Sequence, residues 1–189
     1  QDGCNYICSF CIIPFSRGRD RSNEFSNAIT EAKSILAMGY KEITLTGVNI
    51  GEYKHEAKRI EDLVEAISEL DGLERLRISS IEPNTVSDRL IQLIADRKNI
   101  MPHVHVPIQA GSASILKKMR RHYDRDGIER ILDRICGKIP NLALGSDFIV
   151  GFPQETDEEF MDTVSLIEKY PFSYFHTFTY SSRQKTIAE

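Results

Sequence analysis

The sequence contains no tryptophan, only four cysteines and no long apolar run. Four cysteines in 189 residues do not resemble the disulfide framework of a secreted domain, so a reducing, cytoplasmic setting is expected. No stretch approaches the ~20 apolar residues of a membrane span, and we expect neither a signal peptide nor a membrane partner. Hydrophobic residues make up 41% and charged residues 28% of the chain, which predicts a soluble globular domain with a substantial core.

Positive charge is also scarce, because 24 lysines and arginines face 28 acidic residues and leave a net charge of −4. A chain of this kind does not coat nucleic acid indiscriminately. Two local basic stretches are typical of solvated surfaces. Both nevertheless flank candidate active-site loops, which favours an anionic substrate. They consist of Arg17, Arg19 and Arg21, and of Lys117, Lys118, Arg120, Arg121 and His122.

Strand and helix patterns alternate along the chain. Strands are predicted at about 42–46, 75–79, 103–107, 143–149 and 173–180. Helical stripes are predicted from Phe25 to Gly39, from Ile60 to Gly72, over 86–96, over 112–138 with a break near Tyr123 and Asp124, and between Thr156 and Pro171. Such alternation predicts right-handed βαβ units on a parallel sheet. A complete eight-fold barrel needs ~250 residues, so we predict an open, partial (β/α)6 barrel with one more strand just ahead of residue 4.

Capping boxes predict the first residues of two helices. Thr85 with Asp88, and Thr156 with Glu159, have the spacing of an N-cap hydroxyl and an acidic N3 residue.

Three cysteines close together carry the clearest chemical signal. Cys4, Cys8 and Cys11 follow a C-x3-C-x2-C spacing, with the aromatic residue Phe10 before the last one. Thiolates favour zinc, copper(I) or iron–sulfur clusters. A structural zinc site would need a fourth ligand, and Cys136 lies on the apolar stripe of a distant helix, where we predict a buried structural thiol. A redox dithiol needs no third cysteine. A four-iron cluster held by three cysteines would leave one iron free for another ligand.

The cysteine motif resembles the signature of the radical S-adenosylmethionine (SAM) superfamily, whose core is a partial (β/α)6 barrel. The resemblance implies that Cys4, Cys8 and Cys11 hold a 4Fe-4S cluster. It also implies that SAM binds the free iron and that Phe10 packs near the adenine of SAM.

Further motifs resemble the methylthiotransferases of that superfamily over nearly the whole chain. They are "CIIPFSRGRDRS", "LTGVNIG", "VPIQAGS", "MRRHY", "DFIVGFPQET" and "FTYSSRQKT". The resemblance implies that SAM is contacted by Gly47, Val48, Asn49, Gln109, Ser112, Gly151 and Phe152.

Some positions keep an alternative role or depart from the family pattern. Ser112 or Ser114 fits plain helix capping equally well. Glu82 either binds ligand or pairs with a nearby arginine, Glu155 is expected at a helix entry, and His103 and His105 are expected to be core or rim hydrogen-bonding residues. The departures are Asn23, where the family often has arginine, and Gln154 and Lys185, where it often has glycine.

The resemblance implies methylthiolation of transfer RNA, with hydrogen abstraction carried by this domain. "QDGCN" and "RISSIEP" resemble the branch that acts on C2 of N6-threonylcarbamoyladenosine next to the anticodon. Alternatives are the isopentenyladenosine branch, the branch that modifies a ribosomal protein, and a zinc-stabilised binding module without catalysis.

The family pattern also implies partners and further domains. We expect residues 1–189 to be the catalytic core only, a fragment without the N-terminal domain that holds a second 4Fe-4S cluster and without the C-terminal RNA-binding β-barrel. The expected electron donor is a flavodoxin or ferredoxin. The residues expected to contact transfer RNA are Arg17, Arg19, Arg21, Lys118, Arg120 and Arg121.

Overall fold

The computed structural model describes residues 1–189, in which helices and strands alternate. In chain order the elements are α1 (Ile13–Arg17), α2 (Phe25–Ala37), β1 (Glu42–Leu45), β2 (Lys54–His55), β3 (Lys58–Arg59), α3 (Ile60–Ser68), β4 (Arg75–Ile78), α4 (Asp88–Asp96), β5 (His103–Gln109), α5 (Ala113–Lys118), α6 (Arg125–Lys138), β6 (Ala143–Val150), α7 (Asp157–Lys169) and β7 (Phe172–Thr179). Single 3-10 turns occupy Ile50–Glu52 and Pro83–Thr85. None of the helices combines the length and the apolar character that a membrane crossing requires.

Five parallel strands form the wall of a partial barrel. β1 pairs with β4, and β5, β6 and β7 form a three-stranded sheet. The two sheets meet through a parallel bridge between Leu76 and Ile100 and a 2.9 Å hydrogen bond from the Ile81 N–H to the His105 carbonyl. The resulting order, β1-β4-β5-β6-β7, confirms the predicted fold class. Of the predicted strand ahead of residue 4, the structure contains only Asp2 in an isolated antiparallel bridge with Arg21.

The core lies between the outer face of the strands and the helices. On β5 the outer residues Val104, Val106 and Ile108 are buried, as are Leu144 and Phe148 on β6. Because side chains alternate along a strand, the intervening residues face the concave side of the wall. On β5, β6 and β7 these are mostly polar, and we call the space that they line the lumen: His103, His105, Gln109, Asp147, Tyr174 and His176.

Helix boundaries confirm most of the sequence predictions. The Thr156 hydroxyl accepts the Glu159 N–H at 3.3 Å, and the Glu159 carboxylate accepts the Thr156 N–H at 2.9 Å, as predicted for the start of α7. The long helical region is divided into α5 and α6, with the break at the predicted place. α3 ends at Ser68, before the predicted closing glycine, Gly72, which lies in the following turn with φ +85°.

Two further predictions need correction. Thr85 does not cap α4, because Pro83 starts a 3-10 turn in which the Thr85 hydroxyl donates to the Glu82 carbonyl at 2.8 Å. Ser87 is the N-cap instead, and it accepts the Leu90 N–H at 3.1 Å. Cys136 is only half-buried, although it packs against the core as predicted.

Candidate active site

The three cysteines lie on one loop that is tied to the barrel at several points. Cys8 is buried, Cys4 and Cys11 are half-buried, and none forms a disulfide. Ser9 anchors the loop, because its N–H donates to the Met119 carbonyl at 3.0 Å and its hydroxyl donates to the Lys118 carbonyl at 2.8 Å. The loop is therefore held against the end of α5.

Gly3 allows the loop to start close to the neighbouring chain. Its φ is +71°, and a Cβ at this position would overlap the Arg19 carbonyl. Any other residue would have to displace that backbone segment.

Burial and neighbouring groups determine the pKa values of the thiols. Burial raises the pKa of both Cys4 and Cys8, and the neighbouring Cys11 raises it further. The Tyr6 N–H donates to the Cys4 sulfur at 3.4 Å, and Arg121 Nη1 donates to the Cys8 sulfur at 3.1 Å. Without a metal these two thiols are protonated at neutral pH, so metal binding must release protons.

Asn49 is the residue of the predicted SAM-binding turn that lies next to a cysteine. Its side chain is buried beside Cys4. Its backbone N–H donates to Gln1 Oε1 at 2.7 Å, but neither atom of its side-chain amide has a hydrogen-bond partner. Buried polar groups are normally paired, so these two atoms suit a polar ligand. In the same turn Gly47 packs against Gln1, and Val48 is 38% exposed.

Two of the predicted SAM contacts line one cleft beside the loop, and a third supports its wall. The rings of Phe10 and Phe152 meet edge to face at 6.4 Å, and Phe152 meets Tyr180 in the same way at 5.3 Å. The cleft has a volume of about 270 Å³, near the lower end of the range for small-molecule sites, ~300–1,000 Å³. Its lining combines apolar and polar side chains: Phe10, Gln109, Asp147, Ile149, Phe178, Thr179, Tyr180, Ser181 and Arg183.

The turn after β6 is fixed by Glu155. Its carboxylate accepts the N–H of Gly151 at 2.5 Å and that of Phe152 at 3.2 Å. Gly151 is exposed with φ +71°, and open space surrounds the position of a Cβ. Glu155 therefore belongs to the helix entry, as predicted, and it holds Phe152 against Phe10.

Ser112 lies away from this cleft. It is buried at the N-cap position of α5, but its hydroxyl bonds that of Ser114 at 3.0 Å rather than a backbone N–H. Ser114 in turn bonds Glu159 on α7. The geometry supports a role for Ser112 in packing α5 against α7.

Arg121 points inward, which removes it from the predicted RNA-contacting surface. Its side chain is only 4% exposed and pairs with Glu82, which identifies Glu82 as an ion-pair partner of a local arginine. The adjacent Arg120 is exposed, with φ +56°. The two arginines of "MRRHY" therefore have different environments.

The remaining basic residues differ in whether they form ion pairs with acidic side chains. Arg17 pairs with Asp2 at 3.1 Å, and Arg21 pairs with the same carboxylate. Lys118 lies 3.5 Å from Glu159. Arg19 and Arg120 are exposed and form no ion pair, so they are the strongest candidates for phosphate contacts.

The lumen contains a polar network, of which the sequence predicted only His103 and His105 as hydrogen-bonding residues. The Tyr174 hydroxyl lies 2.7 Å from His103 Nε2 and 3.1 Å from His105 Nδ1. Asp147 lies 3.1 Å from His105 Nε2 and 3.0 Å from His176 Nδ1. His105, Asp147 and His176 each offer a ligand atom within 4.8 Å of the others, so a cation or a polar substrate group could bind there. Asp147 lies within a quoted motif, and His176 shares its strand face with Tyr174, so strand alternation could have indicated both.

Two buried polar atoms at the lumen wall lack hydrogen-bond partners. They are Ser79 Oγ, just after β4, and His103 Nδ1, whereas His105 Nε2 lies beside the Asp147 carboxylate. Burial lowers the pKa of His103, and the charge of Arg77 lowers it further. The lumen is thus a concave polar surface on which part of the hydrogen-bonding capacity is not used by the fold.

Comparison with known proteins identifies the family. The model for the radical SAM superfamily matches residues 1–167. A tRNA-2-methylthio-N(6)-dimethylallyladenosine synthase of Thermoanaerobacter pseudethanolicus is 40% identical over 98% of this chain and 40% of the relative. The threonylcarbamoyladenosine tRNA methylthiotransferase MtaB of Bacillus subtilis is 43% identical over 100% of this chain and 42% of the relative. The chain thus spans about two fifths of the length of these curated relatives.

Solved structures show the same fold at low sequence identity. The radical S-adenosylmethionine methyltransferase TsrM of Kitasatospora setae, with cobalamin and a [4Fe-4S] cluster bound, has a TM-score of 0.76 at 19% identity, covering 94% of this chain and 35% of TsrM. Methylornithine synthase PylB has a TM-score of 0.65 at 15% identity, covering 98% of this chain and 52% of PylB. The chain therefore belongs to the radical SAM superfamily, and its sequence is similar to the transfer RNA methylthiotransferases of that superfamily.

Proposed function

We propose that this chain is the catalytic core of a cytoplasmic transfer RNA methylthiotransferase, with a 4Fe-4S cluster on Cys4, Cys8 and Cys11 and SAM in the adjacent cleft. The observation that carries the proposal is the position of three free thiols on one anchored loop beside a cleft lined by aromatic and polar side chains. Such a cluster, when bound, supplies the low-potential electron for reductive cleavage of SAM. The unpaired amide of Asn49, next to Cys4, is the polar group best placed to meet a ligand of that site.

The number of cysteines supports a cluster over a single zinc ion. A structural zinc site takes four protein ligands, whereas the loop supplies three free thiols. A four-iron cluster that binds each thiolate through a different iron suits this set of three. We therefore set aside the zinc-stabilised binding module.

The protein's own side chains would position SAM. Phe10, supported by Phe152 and Tyr180, presents an aromatic edge on which an adenine could pack. Gln109 and Asp147 supply polar groups in the same cleft. Gln109 has φ +75°, and a strained conformation of this kind is frequent in residues that hold ligands.

The lumen supports N6-threonylcarbamoyladenosine as the substrate. A threonylcarbamoyl group carries a carboxylate and a hydroxyl, whereas a dimethylallyl group is apolar. The lumen offers polar side chains, and Ser79 Oγ and His103 Nδ1 are buried without hydrogen-bond partners. Arg77, whose charge lowers the pKa of His103, is itself paired with Glu42 at 2.9 Å. An apolar substituent would leave these atoms unpaired, at a cost of about 1–3 kcal/mol for each.

The curated relatives are more than twice as long as this chain. We propose that a second 4Fe-4S cluster and an RNA-binding β-barrel lie on other domains, and that a flavodoxin or ferredoxin donates electrons. Arg19, Arg120 and Lys118 would contact RNA phosphates at the rim, while Arg17 and Arg21 would shape the loop that carries Arg19.

The experiment that tests this function uses the full-length protein, reductant and SAM with matched transfer RNAs. One RNA carries N6-threonylcarbamoyladenosine and the other N6-isopentenyladenosine, and mass spectrometry of the digested nucleosides measures methylthiolation. We expect product from the first RNA only, and the variant His103→Leu should reduce the yield at limiting RNA because a hydrogen-bonding group of the lumen is lost. The variant His55→Leu, on the hairpin of β2 and β3, serves as the matched control.

Three outcomes would change the assignment. Product from the isopentenyladenosine RNA alone would reverse the substrate. Product only from a ribosomal protein would remove transfer RNA as the substrate. No methylthiolation of any of the three, from a protein that retains its clusters, would contradict the proposed function.

A further inference from the structure

Arg121 is a buried arginine that contacts a cysteine of the proposed cluster site. Its Nη1 donates to the Cys8 sulfur at 3.1 Å, and its Nη2 donates to Glu82 and, at 3.3 Å, to the Pro107 carbonyl. Its Nε donates to the Tyr123 hydroxyl at 2.8 Å. Glu82, Pro107 and Tyr123 therefore hold the guanidinium from three parts of the barrel, and its contact to Cys8 joins it to the cysteine loop.

The arrangement keeps Arg121 charged and fixed in direction. An arginine stays protonated throughout the range of physiological pH, and its pairing with Glu82 balances that charge in the interior. Tyr123 contributes by donating its own hydroxyl proton to the Pro107 carbonyl at 2.9 Å, which leaves the oxygen free to accept from Arg121. The ring of Tyr123 also lies 5.0 Å from the guanidinium carbon.

Such an ion pair is a costly way to fill a protein interior. Apolar side chains of similar volume are often at least as stabilising as a buried ion pair, because desolvating two charges is expensive. Arg121 donates a hydrogen bond to the Cys8 sulfur, which an apolar side chain could not do. Hydrogen bonds to cysteine sulfurs are one of the ways in which proteins set the potential of an iron–sulfur cluster.

We propose that Arg121 is a positioning residue that raises the reduction potential of the cluster through its hydrogen bond to Cys8, while Glu82 and Tyr123 aim the guanidinium. This inference rests on the proposed cluster. A donor N–H and a nearby positive charge stabilise the more negative, reduced state of the cluster. Removing both makes reduction harder.

The test compares the reduction potentials of full-length variants after anaerobic reconstitution. Arg121→Met removes the charge and the donor, Arg121→Lys keeps the charge, and Arg130→Met replaces an exposed arginine on α6 as the matched control. A redox titration followed by electron paramagnetic resonance gives the midpoint potential, and iron and sulfide analysis gives the cluster content. We expect a more negative potential for Arg121→Met, a smaller shift for Arg121→Lys, and the wild-type potential for Arg130→Met.

A purely structural role would give a different result. Arg121→Met would then lower the thermal unfolding temperature of the cluster-free protein but leave the potential of the loaded protein unchanged, which would overturn the proposal. If Arg121→Met retains no cluster, Arg121→Lys decides, and a wild-type potential in that variant is again contrary to the proposal. Absence of iron and sulfide from the wild-type protein would instead contradict the proposed function.

Discussion

At the scale of single residues, the two adjacent arginines of "MRRHY" show what a sequence motif leaves undetermined. Arg120 adopts a left-handed φ of +56°, and the next side chain turns inward. Burial of Arg121 then depends on Glu82, Pro107 and Cys8, which are distant in the sequence. The motif predicted two surface charges, whereas the tertiary contacts leave only one at the surface.

Two residues that depart from the family pattern have backbones that glycine would suit better. Gln154 has φ +65° and Lys185 has φ +69°, and both side chains are exposed. The resemblance identified these positions as departures, but only the structure shows that both lie in the left-handed region. Residues other than glycine pay ~1–2 kcal/mol for this conformation.

Replacing either residue by glycine should stabilise the chain. We expect Gln154→Gly and Lys185→Gly each to raise the free energy of unfolding by about 0.5–1 kcal/mol, because relief of strain exceeds the added entropy of the unfolded chain. Chemical denaturation of the cluster-free chain measures the effect. Lys33→Gly, at an exposed position inside α2, should instead destabilise by about 1 kcal/mol. Equal destabilisation by all three substitutions would show that the two turns are not strained.

At the scale of elements, the sequence predicted regular structure well and short irregular structure poorly. All five wall strands lie within two residues of their predicted ends, because their alternation spans whole segments. The hairpin of β2 and β3 was missed, since two-residue strands carry no periodicity. The error at Thr85 has a similar origin. A short 3-10 turn occupies Pro83–Thr85, so the N-cap of α4 is Ser87 rather than Thr85.

The candidate site was predictable where it is local and not where it depends on strand pairing. The cysteine loop and the aromatic residue Phe10 could be identified from a short motif. Strand alternation could indicate the members of the lumen group one by one, but not their proximity, because they come from three strands and meet only through the β5-β6-β7 pairing. The contact between Phe10 and Phe152 likewise joins residues at opposite ends of the chain.

At the scale of the whole molecule, a net charge of −4 makes RNA binding depend on a few unpaired charges. Arg19 and Arg120 carry exposed charges without ion-pair partners. We expect Arg19→Glu/Arg120→Glu in the full-length protein to weaken transfer RNA binding. The variant should also reduce the dependence of binding on salt concentration, because fewer counterions are released.

Binding isotherms at several salt concentrations measure both effects. The double variant Arg17→Glu/Arg21→Glu is unsuitable as a control, because it would also break the pairs with Asp2. Lys33→Glu/Lys98→Glu, at exposed positions without ion pairs on α2 and ahead of β5, provides the same change in charge. Equal weakening by both double variants would mean that net charge, rather than this rim, controls binding.

The central claim is that Cys4, Cys8 and Cys11 hold a four-iron cluster and leave one iron free for SAM. The most direct measurement is electron paramagnetic resonance of the reduced, reconstituted protein with and without SAM, on the wild type, on each cysteine-to-alanine variant, and on Cys136→Ala. We predict a cluster signal that SAM alters in the wild type and in Cys136→Ala, and loss of that signal when any one of the three loop cysteines is replaced. A signal that SAM leaves unchanged, or one that survives replacement of Cys4, Cys8 or Cys11, would contradict the account.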